Sequence, residues 1–267
     1  MGNNLLAGKK GIIFGALDEL SIAWKVAEKA HEEGAQFLLS NAPVALRMGK
    51  INELAEKTGS QLVPADATST DDLNALFDAA EAQFGKIDFV LHSIGMSPNV
   101  RKKRLYTDLN YEWLHKTYDI SAMSFHKIMQ ALYQRNLMNE WGSILALSYI
   151  AAQRTFGEYN DMADAKALLE SIGRSFGYHF GKKAKVRVNT ISQSPTPTTA
   201  GMGVAGFDKM LDYGEKMSPL GNATAEDCAN YCVMMFSDYT RRITMQNLYS
   251  DGGFSSVGIS TDILENL

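Results

Sequence analysis

Strand-like apolar segments alternate with helical segments along the chain, and this order limits the fold more than any other feature of the sequence. Helical spacing of apolar residues is clearest at Leu73, Leu76, Phe77, Ala80 and Phe84. The seven strand-like segments span residues 11–14, 36–40, 61–64, 87–92, 143–148, 186–191 and 246–250. Repeated β-then-α order is typical of a parallel sheet flanked by helices. We therefore predict an α/β fold: a single-domain, Rossmann-type, doubly wound, seven-stranded parallel sheet with helices on both faces.

Helices are predicted between these strands, and one later segment interrupts the order. The predicted helices span residues 22–33, 70–84, 111–137, a stretch that carries Tyr159 and Lys166, and 224–237. Residues 194–213 instead contain two prolines, three threonines and three glycines. After a strand's carboxyl end, such a segment suits a lid over a site, although an ordinary surface connection is the alternative. We predict one dinucleotide-binding and catalytic domain over residues 1–267, with a mobile substrate-binding lid at residues 194–213.

Composition argues against several classes of function. Of the 267 residues, 45% are hydrophobic and 21% are charged, and the formal net charge is −4. This ordinary balance, without a long basic run, does not predict a nucleic-acid partner. No apolar stretch reaches membrane-spanning length, and the N-terminus lacks the parts of a signal peptide. Cys228 and Cys232 lie one helical turn apart and match neither a disulfide framework nor a zinc site, so we expect a cytoplasmic location and no metal.

A tyrosine and a lysine have the spacing of a catalytic pair. Tyr159 precedes Lys166 by seven residues, and Tyr149 lies ten residues before Tyr159. On a helix, this spacing is close to two turns, so Tyr159 and Lys166 would share a face. A nearby ammonium stabilises developing phenolate charge and makes the tyrosine a better acid. Nicotinamide-dependent reductases use this arrangement to protonate a substrate after hydride transfer; the alternative is an unrelated tyrosine and a solvated lysine.

The turn after the first strand is a candidate phosphate-binding site. Gly15 ends this strand, and the helix that follows would direct free backbone N–H groups towards a bound pyrophosphate. The segment from Gly15 to Ala23 does not match Gly-x-Gly-x-x-Gly, so the signal is weak by itself. Asp18 and Glu19 would have to point away from the phosphates.

Two further turns face the same crevice of a doubly wound sheet. Asp66 follows the third strand, and its carboxylate is suited to accept a hydrogen bond from an adenine amino group. A turn or helix-capping role is the alternative for Asp66. Gly95 follows the fourth strand and would let the backbone approach a ribose closely, or would simply form a tight turn.

Taken together, these residues resemble one family over nearly the whole chain. The marks of the resemblance are Gly15 with Ser21-Ile22-Ala23, Ser93-Ile94-Gly95, Asp119-Ile120-Ser121, Ser148-Tyr149, Tyr159-Asn160 through Lys166, Arg187-Val188-Asn189 and Asp251-Gly252-Gly253-Phe254-Ser255. Their order and spacing are similar to those of bacterial enoyl-[acyl-carrier-protein] reductases, a divergent branch of the short-chain dehydrogenase/reductases. Carbonyl reductases of this fold usually place a serine thirteen residues before the active tyrosine, where this chain has Ala146.

The chain also departs from the family pattern at two places. Ala163-Asp164-Ala165 stands where the family commonly has Gly-Leu-Ala, and Gln193 through Thr198 replaces a segment that often contains a basic residue. The second departure bears on the nicotinamide side of the pocket.

The resemblance implies reduction of the trans-2 double bond of enoyl-acyl-carrier-protein thioesters by NADH, the last reductive step of the fatty acid elongation cycle. It implies that Tyr159 stabilises the thioester oxygen, that Lys166 binds the nicotinamide ribose, and that Tyr149 shapes the acyl pocket. Acyl carrier protein would be the partner, and a homotetramer the assembly. The end of the second strand, Ser40-Asn41-Ala42, has neither an acid nor an arginine pair, which favours NADH over NADPH.

The residues assigned to the site fall into three groups. The catalytic residues are Tyr149, Tyr159 and Lys166. The cofactor-binding residues are Gly15, Ser21, Ile22, Asp66, Ala67, Ser93, Ile94, Gly95, Lys166, Thr196 and Thr198. The substrate-binding residues are Ser97, Tyr149, Tyr159, Met202 and Phe207. The alternatives are a β-ketoacyl thioester reductase, which Ala146 disfavours, and a non-catalytic dinucleotide-binding protein.

Overall fold

One parallel β-sheet forms the centre of the structure. The computed structural model describes residues 2–157, 159–199, 201–204 and 206–265. The strands are β1 (Lys10–Phe14), β2 (Gln36–Ser40), β3 (Gln61–Leu62), β4 (Ile87–His92), β5 (Met138–Ser148), β6 (Arg187–Gln193) and β7 (Asn247–Ser250). Every neighbouring pair is parallel, in the order β3-β2-β1-β4-β5-β6-β7. The predicted seven-stranded, doubly wound parallel sheet is confirmed.

Helices connect the strands and cover the sheet. In the described part of the chain they are α1 (Ile22–Glu32), α2 (Pro43–Met48), α3 (Ile51–Thr58), α4 (Thr70–Phe84), α5 (Pro98–Arg101), α6 (Tyr111–Tyr118), α7 (Ser124–Arg135), α8 (Asn160–Ala184), α9 (Phe207–Met217), α10 (Ala225–Phe236) and α11 (Thr261–Leu264). The sequence analysis did not predict five of these helices: α2, α3, α5, α9 and α11. None of the helices in the described ranges has both the length and the apolar character needed to cross a membrane.

Two apolar clusters pack against opposite faces of the sheet, because successive strand side chains point to opposite sides. In β1, Ile12 and Phe14 join the cluster formed with α4, α7 and α8, whereas Ile13 joins the cluster formed with α1, α3 and α10. The predicted apolar stripe of α4, from Leu73 to Phe84, is buried in the first of these clusters. Strands buried on both faces are typical of parallel sheets.

The predicted helix at 111–137 is interrupted by a π-helical turn, Asp119–Met123, between α6 and α7. Ser121 in this turn accepts a hydrogen bond from the Met96 backbone N–H at 3.0 Å, which ties the turn to the loop after β4. Single π-turns occur frequently at functional sites, and apolar periodicity does not reveal them. At the start of α4, the Ser69 hydroxyl caps the helix by accepting a hydrogen bond from the Asp72 N–H.

The register of the central strands brings their carboxyl ends to one edge. Phe14 aligns with His92, His92 with Ala146, and Ala146 with Thr190. The turns after these strands therefore meet at the same side of the sheet, which is where doubly wound folds bind ligands.

Candidate active site

A cavity of about 680 Å³ opens at the carboxyl edge of the sheet. All the predicted cofactor-binding residues line it: Gly15, Ser21, Ile22, Asp66, Ala67, Ser93, Ile94, Gly95, Lys166, Thr196 and Thr198. Tyr149, Tyr159 and Phe207 line the same cavity. The structure thus brings together segments that lie far apart in the sequence.

Two predicted substrate contacts are not among the residues that line this cavity. Ser97 is 3% exposed, and its hydroxyl donates to Asp161 at 2.6 Å while accepting from the Val100 N–H. Its role in the structure is therefore to cap α5. Met202 is 53% exposed in the 3₁₀ turn Gly201–Gly203, so its side chain lies towards solvent. Substrate contact by Ser97 and by Met202 therefore stays a prediction that this cavity does not support.

The turn at Gly15 depends on the absence of a side chain. Gly15 has φ +96°, and a Cβ placed there would lie 2.0 Å from the Ser93 carbonyl oxygen. The first turn and the loop after β4 are therefore packed backbone to backbone at the floor of the cavity. The Ser21 hydroxyl, at the N-cap of α1, accepts from the N–H groups of Leu17 and Asp18, each at 3.1 Å.

The two acidic residues of this turn do not line the cavity. Asp18 accepts hydrogen bonds from the Leu20 N–H and from the Thr199 hydroxyl, at 3.1 and 2.5 Å. Glu19 has a side chain that is 61% exposed and lies 3.9 Å from Lys50. The Ser21 hydroxyl lies 3.3 Å from Asp18 Oδ1, so this carboxylate is close to the N-terminus of α1, where backbone N–H groups and the helix dipole favour negative charge.

Asp66 forms the turn that was one of its two predicted roles, and adenine contact stays a prediction. Its Oδ1 accepts from the Thr68 N–H at 2.9 Å and from the Thr68 hydroxyl at 2.8 Å, which is the capping turn. Asp66 nevertheless lines the cavity.

The two tyrosines pack against each other beside the lysine. The rings of Tyr149 and Tyr159 have centroids 5.0 Å apart at an angle of 56°. Burial raises the pKa of both phenols, with the neighbouring Tyr159 adding to the effect on Tyr149. Both phenols therefore keep their protons across the neutral range and act as hydrogen-bond donors.

The pairing of Tyr159 with Lys166 does not arise from two regular helical turns. Tyr159 is the N-cap of α8, and Asn160 follows it with φ +47°, in the left-handed region. Asparagine tolerates this region better than most residues, and here it redirects the chain between Tyr159 and the helix. The position of Tyr159 depends on this cap and on its packing rather than on helical periodicity.

Lys166 is buried, and its ammonium is held by the sheet. Its Nζ donates to the Leu147 carbonyl oxygen at 2.7 Å. Burial lowers the pKa of Lys166 to about 8, and the Glu170 carboxylate acts in the opposite direction. Gly95 passes close by, since a Cβ on it would lie 3.7 Å from the Lys166 Nζ. An ammonium has three N–H donors, so the bond to Leu147 leaves two that can serve a ligand. Burial is the cause of the raised pKa of the Tyr159 phenol, and the expected lowering of that pKa by the Lys166 ammonium is not seen.

Sequence reasoning missed Glu170, which is 4% exposed beneath the lysine. It accepts from the Ser148 hydroxyl at 2.7 Å and from the Gln153 amide at 3.1 Å. Its position four residues after Lys166 on one helix face was the available signal.

Burial lowers the pKa of His92 to about 3, with the Lys166 charge adding to the effect, so His92 is neutral and is not a candidate acid.

Several residues of the segment predicted as a lid line the cavity. Thr196 is 9% exposed, and its hydroxyl accepts from the Gln193 amide at 3.0 Å. Phe207, at the start of α9, is 8% exposed and lines the cavity together with Met210. The lid is thus partly helical, because residues 207–213 form the first turns of α9.

The chain is similar to known proteins over nearly its whole length. The family model described as enoyl-(acyl carrier protein) reductase matches residues 15–255. The enoyl-[acyl-carrier-protein] reductase [NADH] 2 of Rhizobium meliloti is 34% identical over 97% of this chain and 96% of its own length. The corresponding enzyme of Salmonella typhimurium, FabI, is 34% identical over 94% of this chain and 95% of its own length.

Solved structures also resemble this chain over nearly its whole length. The FabI–NADH complex of Alistipes finegoldii superposes with a TM-score of 0.97 at 62% identity, covering 99% of this chain and 94% of that one. The enoyl-[acyl-carrier-protein] reductase (NADH) of Aquifex aeolicus superposes with a TM-score of 0.89 at 33% identity, covering 96% and 99%.

Proposed function

The chain belongs to the enoyl-[acyl-carrier-protein] reductase family, and from that premise we propose how its own residues perform the reaction. The enzyme reduces the trans-2 double bond of enoyl-acyl-carrier-protein thioesters with NADH, the last reductive step of fatty acid elongation. The observation that carries the assignment of roles is the packed Tyr149–Tyr159 pair, which lines the same cavity as Lys166 and the Gly15 turn.

The residues present fit a dinucleotide. The glycine-dependent packing of Gly15 on Ser93 leaves the backbone exposed at the N-terminus of α1, where a pyrophosphate is stabilised. Asp66 and Ala67 would hold the adenine, and Ser93 through Gly95 would contact its ribose. Lys166, Thr196 and Thr198 would hold the nicotinamide end. When bound, NADH supplies the hydride that adds to C3 of the enoyl thioester.

The end of β2 supports the use of NADH. Asn41 donates its side-chain N–H to the Ala16 carbonyl oxygen at 2.8 Å, so its amide is engaged within the protein. Lys50 lies beyond this turn, with a side chain that is 56% exposed and close to Glu19. A bound 2′-phosphate is usually held by an arginine near this position.

Tyr159 is proposed to donate its phenolic hydrogen bond to the thioester oxygen as negative charge collects there. Its raised pKa supports this role, because a phenol that keeps its proton remains a donor throughout the neutral range. Donors placed where charge develops act strongly in a cavity that excludes water. Lys166 is proposed to bind the ribose hydroxyls with the two N–H groups not used by Leu147.

Tyr149 is proposed to form the wall of the acyl pocket. It is 7% exposed, and its ring packs against Phe156 with centroids 5.4 Å apart, as well as against Tyr159. Phe207 and Met210 face the same cavity from the lid. This apolar surface suits an acyl chain, and residues 194–213 are proposed to open and close over it.

The enzyme is further proposed to be a cytoplasmic homotetramer that receives its substrate on acyl carrier protein. The family resemblance supports the assembly and the location, and the substrate requires the carrier. Analytical ultracentrifugation tests the assembly, since a species of four times the subunit mass is expected. A stable monomer at working concentration would contradict it.

NADH oxidation with a crotonyl thioester tests the assigned reaction. Turnover with crotonyl thioester and little turnover with acetoacetyl thioester are expected. Ala146 is fully buried within β5 and offers no hydroxyl to polarise a ketone. Faster oxidation with the acetoacetyl substrate would assign a carbonyl reductase instead. NADH binding without turnover of either substrate would assign a binding protein.

A further inference from the structure

A carboxylate with no part in the mechanism above is buried next to the proposed catalytic tyrosine. Asp161 lies two residues after Tyr159 and is 0% exposed. Its Oδ1 accepts from the Ser97 hydroxyl at 2.6 Å, and its Oδ2 accepts from the Asn99 amide at 2.8 Å. The Thr117 hydroxyl lies 2.9 Å from the same Oδ2. Burying a carboxylate is costly unless it is fully hydrogen-bonded, so these donors hold its position tightly.

The donors come from two separate elements. Ser97 and Asn99 lie at the start of α5, and Thr117 lies in α6. Asn99 also exchanges hydrogen bonds with the backbone of Asn110, at 3.0 and 3.1 Å, which anchors the loop between these helices. The Thr117 hydroxyl has one proton and lies 2.8 Å from the Trp113 carbonyl oxygen as well, so it serves one of two acceptors at a time. Asp161 therefore joins the first turn of α8 to both helices.

The elements that Asp161 joins also pack around Tyr159. Asn160, held in the left-handed region between Tyr159 and Asp161, donates to the Arg104 carbonyl oxygen at 2.5 Å. Ser97 caps α5, whose Val100 belongs to a small apolar cluster with Met162 and Ala165. Tyr159 packs against that cluster. The packing surface of the tyrosine is thus tied to the Asp161 carboxylate through Ser97, whereas its backbone is anchored next to Asp161 by the bond from Asn160 to Arg104.

We propose that Asp161 is a positioning residue for Tyr159: through Ser97, Asn99 and Thr117 it sets the distance between the phenol and the substrate oxygen. This inference rests on the proposed role of Tyr159 as donor to that oxygen. Small displacements of a catalytic group cost large factors in rate, whereas binding of a ligand held elsewhere is little changed. Asp161 consequently acts on kcat more than on NADH affinity.

A matched control lies one turn further along α8. Asp164 belongs to the same helix and the same acidic segment, but its partners are the phenols of Tyr106 and Tyr118, at 3.1 and 3.5 Å. The bond to Tyr106 is exposed to solvent. Asp164→Asn removes the same charge without disturbing the buried network.

The experiment is a double-mutant cycle measured on the full-length enzyme. Asp161→Asn, Tyr159→Phe and the double variant are compared for kcat with crotonyl thioester, for NADH dissociation constant and for thermal unfolding. An amide at position 161 presents an N–H₂ to groups that are themselves donors, so the network is broken with little change of shape. The expected result is a fall of about tenfold in kcat for Asp161→Asn, with NADH affinity nearly unchanged. Asp164→Asn is expected to match the wild type.

The double variant distinguishes positioning from a purely structural role. If Asp161 acts through the phenol, Asp161→Asn lowers kcat little further once Tyr159 is phenylalanine. The inference is overturned if Asp161→Asn reduces kcat by the same factor in both backgrounds. It is equally overturned if the folded variant keeps its kcat and loses only thermal stability. Wild-type kcat in Tyr159→Phe alone would instead refute the proposed role of the tyrosine.

A milder pair of variants keeps the inference testable if Asp161→Asn does not fold. Thr117→Val removes one donor at nearly constant volume, and Thr117→Ser keeps it. We expect Thr117→Val to lower kcat by about threefold and Thr117→Ser to restore most of it. Equal kcat values in the two variants, both folded, would overturn the inference.

Discussion

The two walls of the active-site cavity are built in different ways. The wall at Gly15, Asp66 and Ser93 consists of turns after strands, and its geometry follows from the backbone and from a glycine. The wall at Tyr149, Tyr159 and Lys166 consists of buried side chains whose pKa values are shifted by burial. The first wall is suited to hold a constant cofactor, and the second is suited to stabilise charge that develops during the reaction. Changes to the two walls should therefore separate binding from turnover.

Lys166 belongs to the second wall but is proposed to touch the cofactor as well, so its removal should have the largest effect. We expect Lys166→Ala to lose about a hundredfold or more in kcat and also to weaken NADH binding. Lys166→Arg should restore binding better than turnover, because a planar guanidinium cannot reproduce the position of an ammonium. Steady-state kinetics and NADH titration measure the two effects. Unchanged NADH affinity in Lys166→Ala would remove this lysine from the cofactor site.

The backbone-built wall can be broken at a single position. Gly15→Ala places a Cβ 2.0 Å from the Ser93 carbonyl oxygen at a positive φ. We expect a rise of about tenfold or more in the NADH dissociation constant and a loss of about 1–3 kcal/mol in the free energy of unfolding. Gly8→Ala is the matched control, because Gly8 has φ +76° but nothing lies within 4 Å of a Cβ there. Similar losses in both variants would show that positive φ alone, and not the close approach, matters at Gly15.

The pH dependence of NADH binding should report on the side-chain wall. Burial lowers the pKa of Lys166 to about 8, so the side chain is protonated below this pH and loses its positive charge as pH rises through it. NADH affinity is therefore expected to fall as pH rises through about 8. Calorimetric titration across this range measures the change, and Lys166→Ala should show a flatter profile. An equally steep profile in that variant would assign the titration to another group.

The smallest effect is expected at the segment proposed as a lid, residues 194–213, which lines the cavity and has no proposed part in the chemistry beyond holding the cofactor. Hydrogen exchange of residues 196–207 should slow when NADH is added, and should slow further when an acyl ligand joins it. The buried side chains of Thr196 and Phe207 are the contacts that such ordering would stabilise. Peptides from α10 serve as the reference that ligands should not affect. Full protection of residues 196–207 before any ligand is added would show that the lid is already rigid.

The comparison also explains which features could be predicted from the sequence. The alternation of apolar strand segments with helical segments predicts the sheet, and a glycine at a strand end predicts the Gly15 turn. Both are local properties of the chain. Ser97 and Asp161 form a hydrogen bond although they lie 64 residues apart in sequence, and no local pattern predicts that contact. The left-handed Asn160 and the π-turn at Asp119–Met123 likewise depend on neighbouring elements. Glu170 alone among the missed residues had a local signal, its helical spacing from Lys166.

The central claim is that Tyr159 acts on the transition state and not on the cofactor, and Tyr159→Phe tests it most directly. The variant removes one hydroxyl from a ring that stays packed against Tyr149, with centroids 5.0 Å apart in the wild type. We predict that kcat with an enoyl thioester falls by about a hundredfold while the NADH dissociation constant changes little. A Tyr159→Phe enzyme with wild-type kcat would contradict the account. If Tyr149→Phe were then the inactive variant, the roles of the two tyrosines would be exchanged.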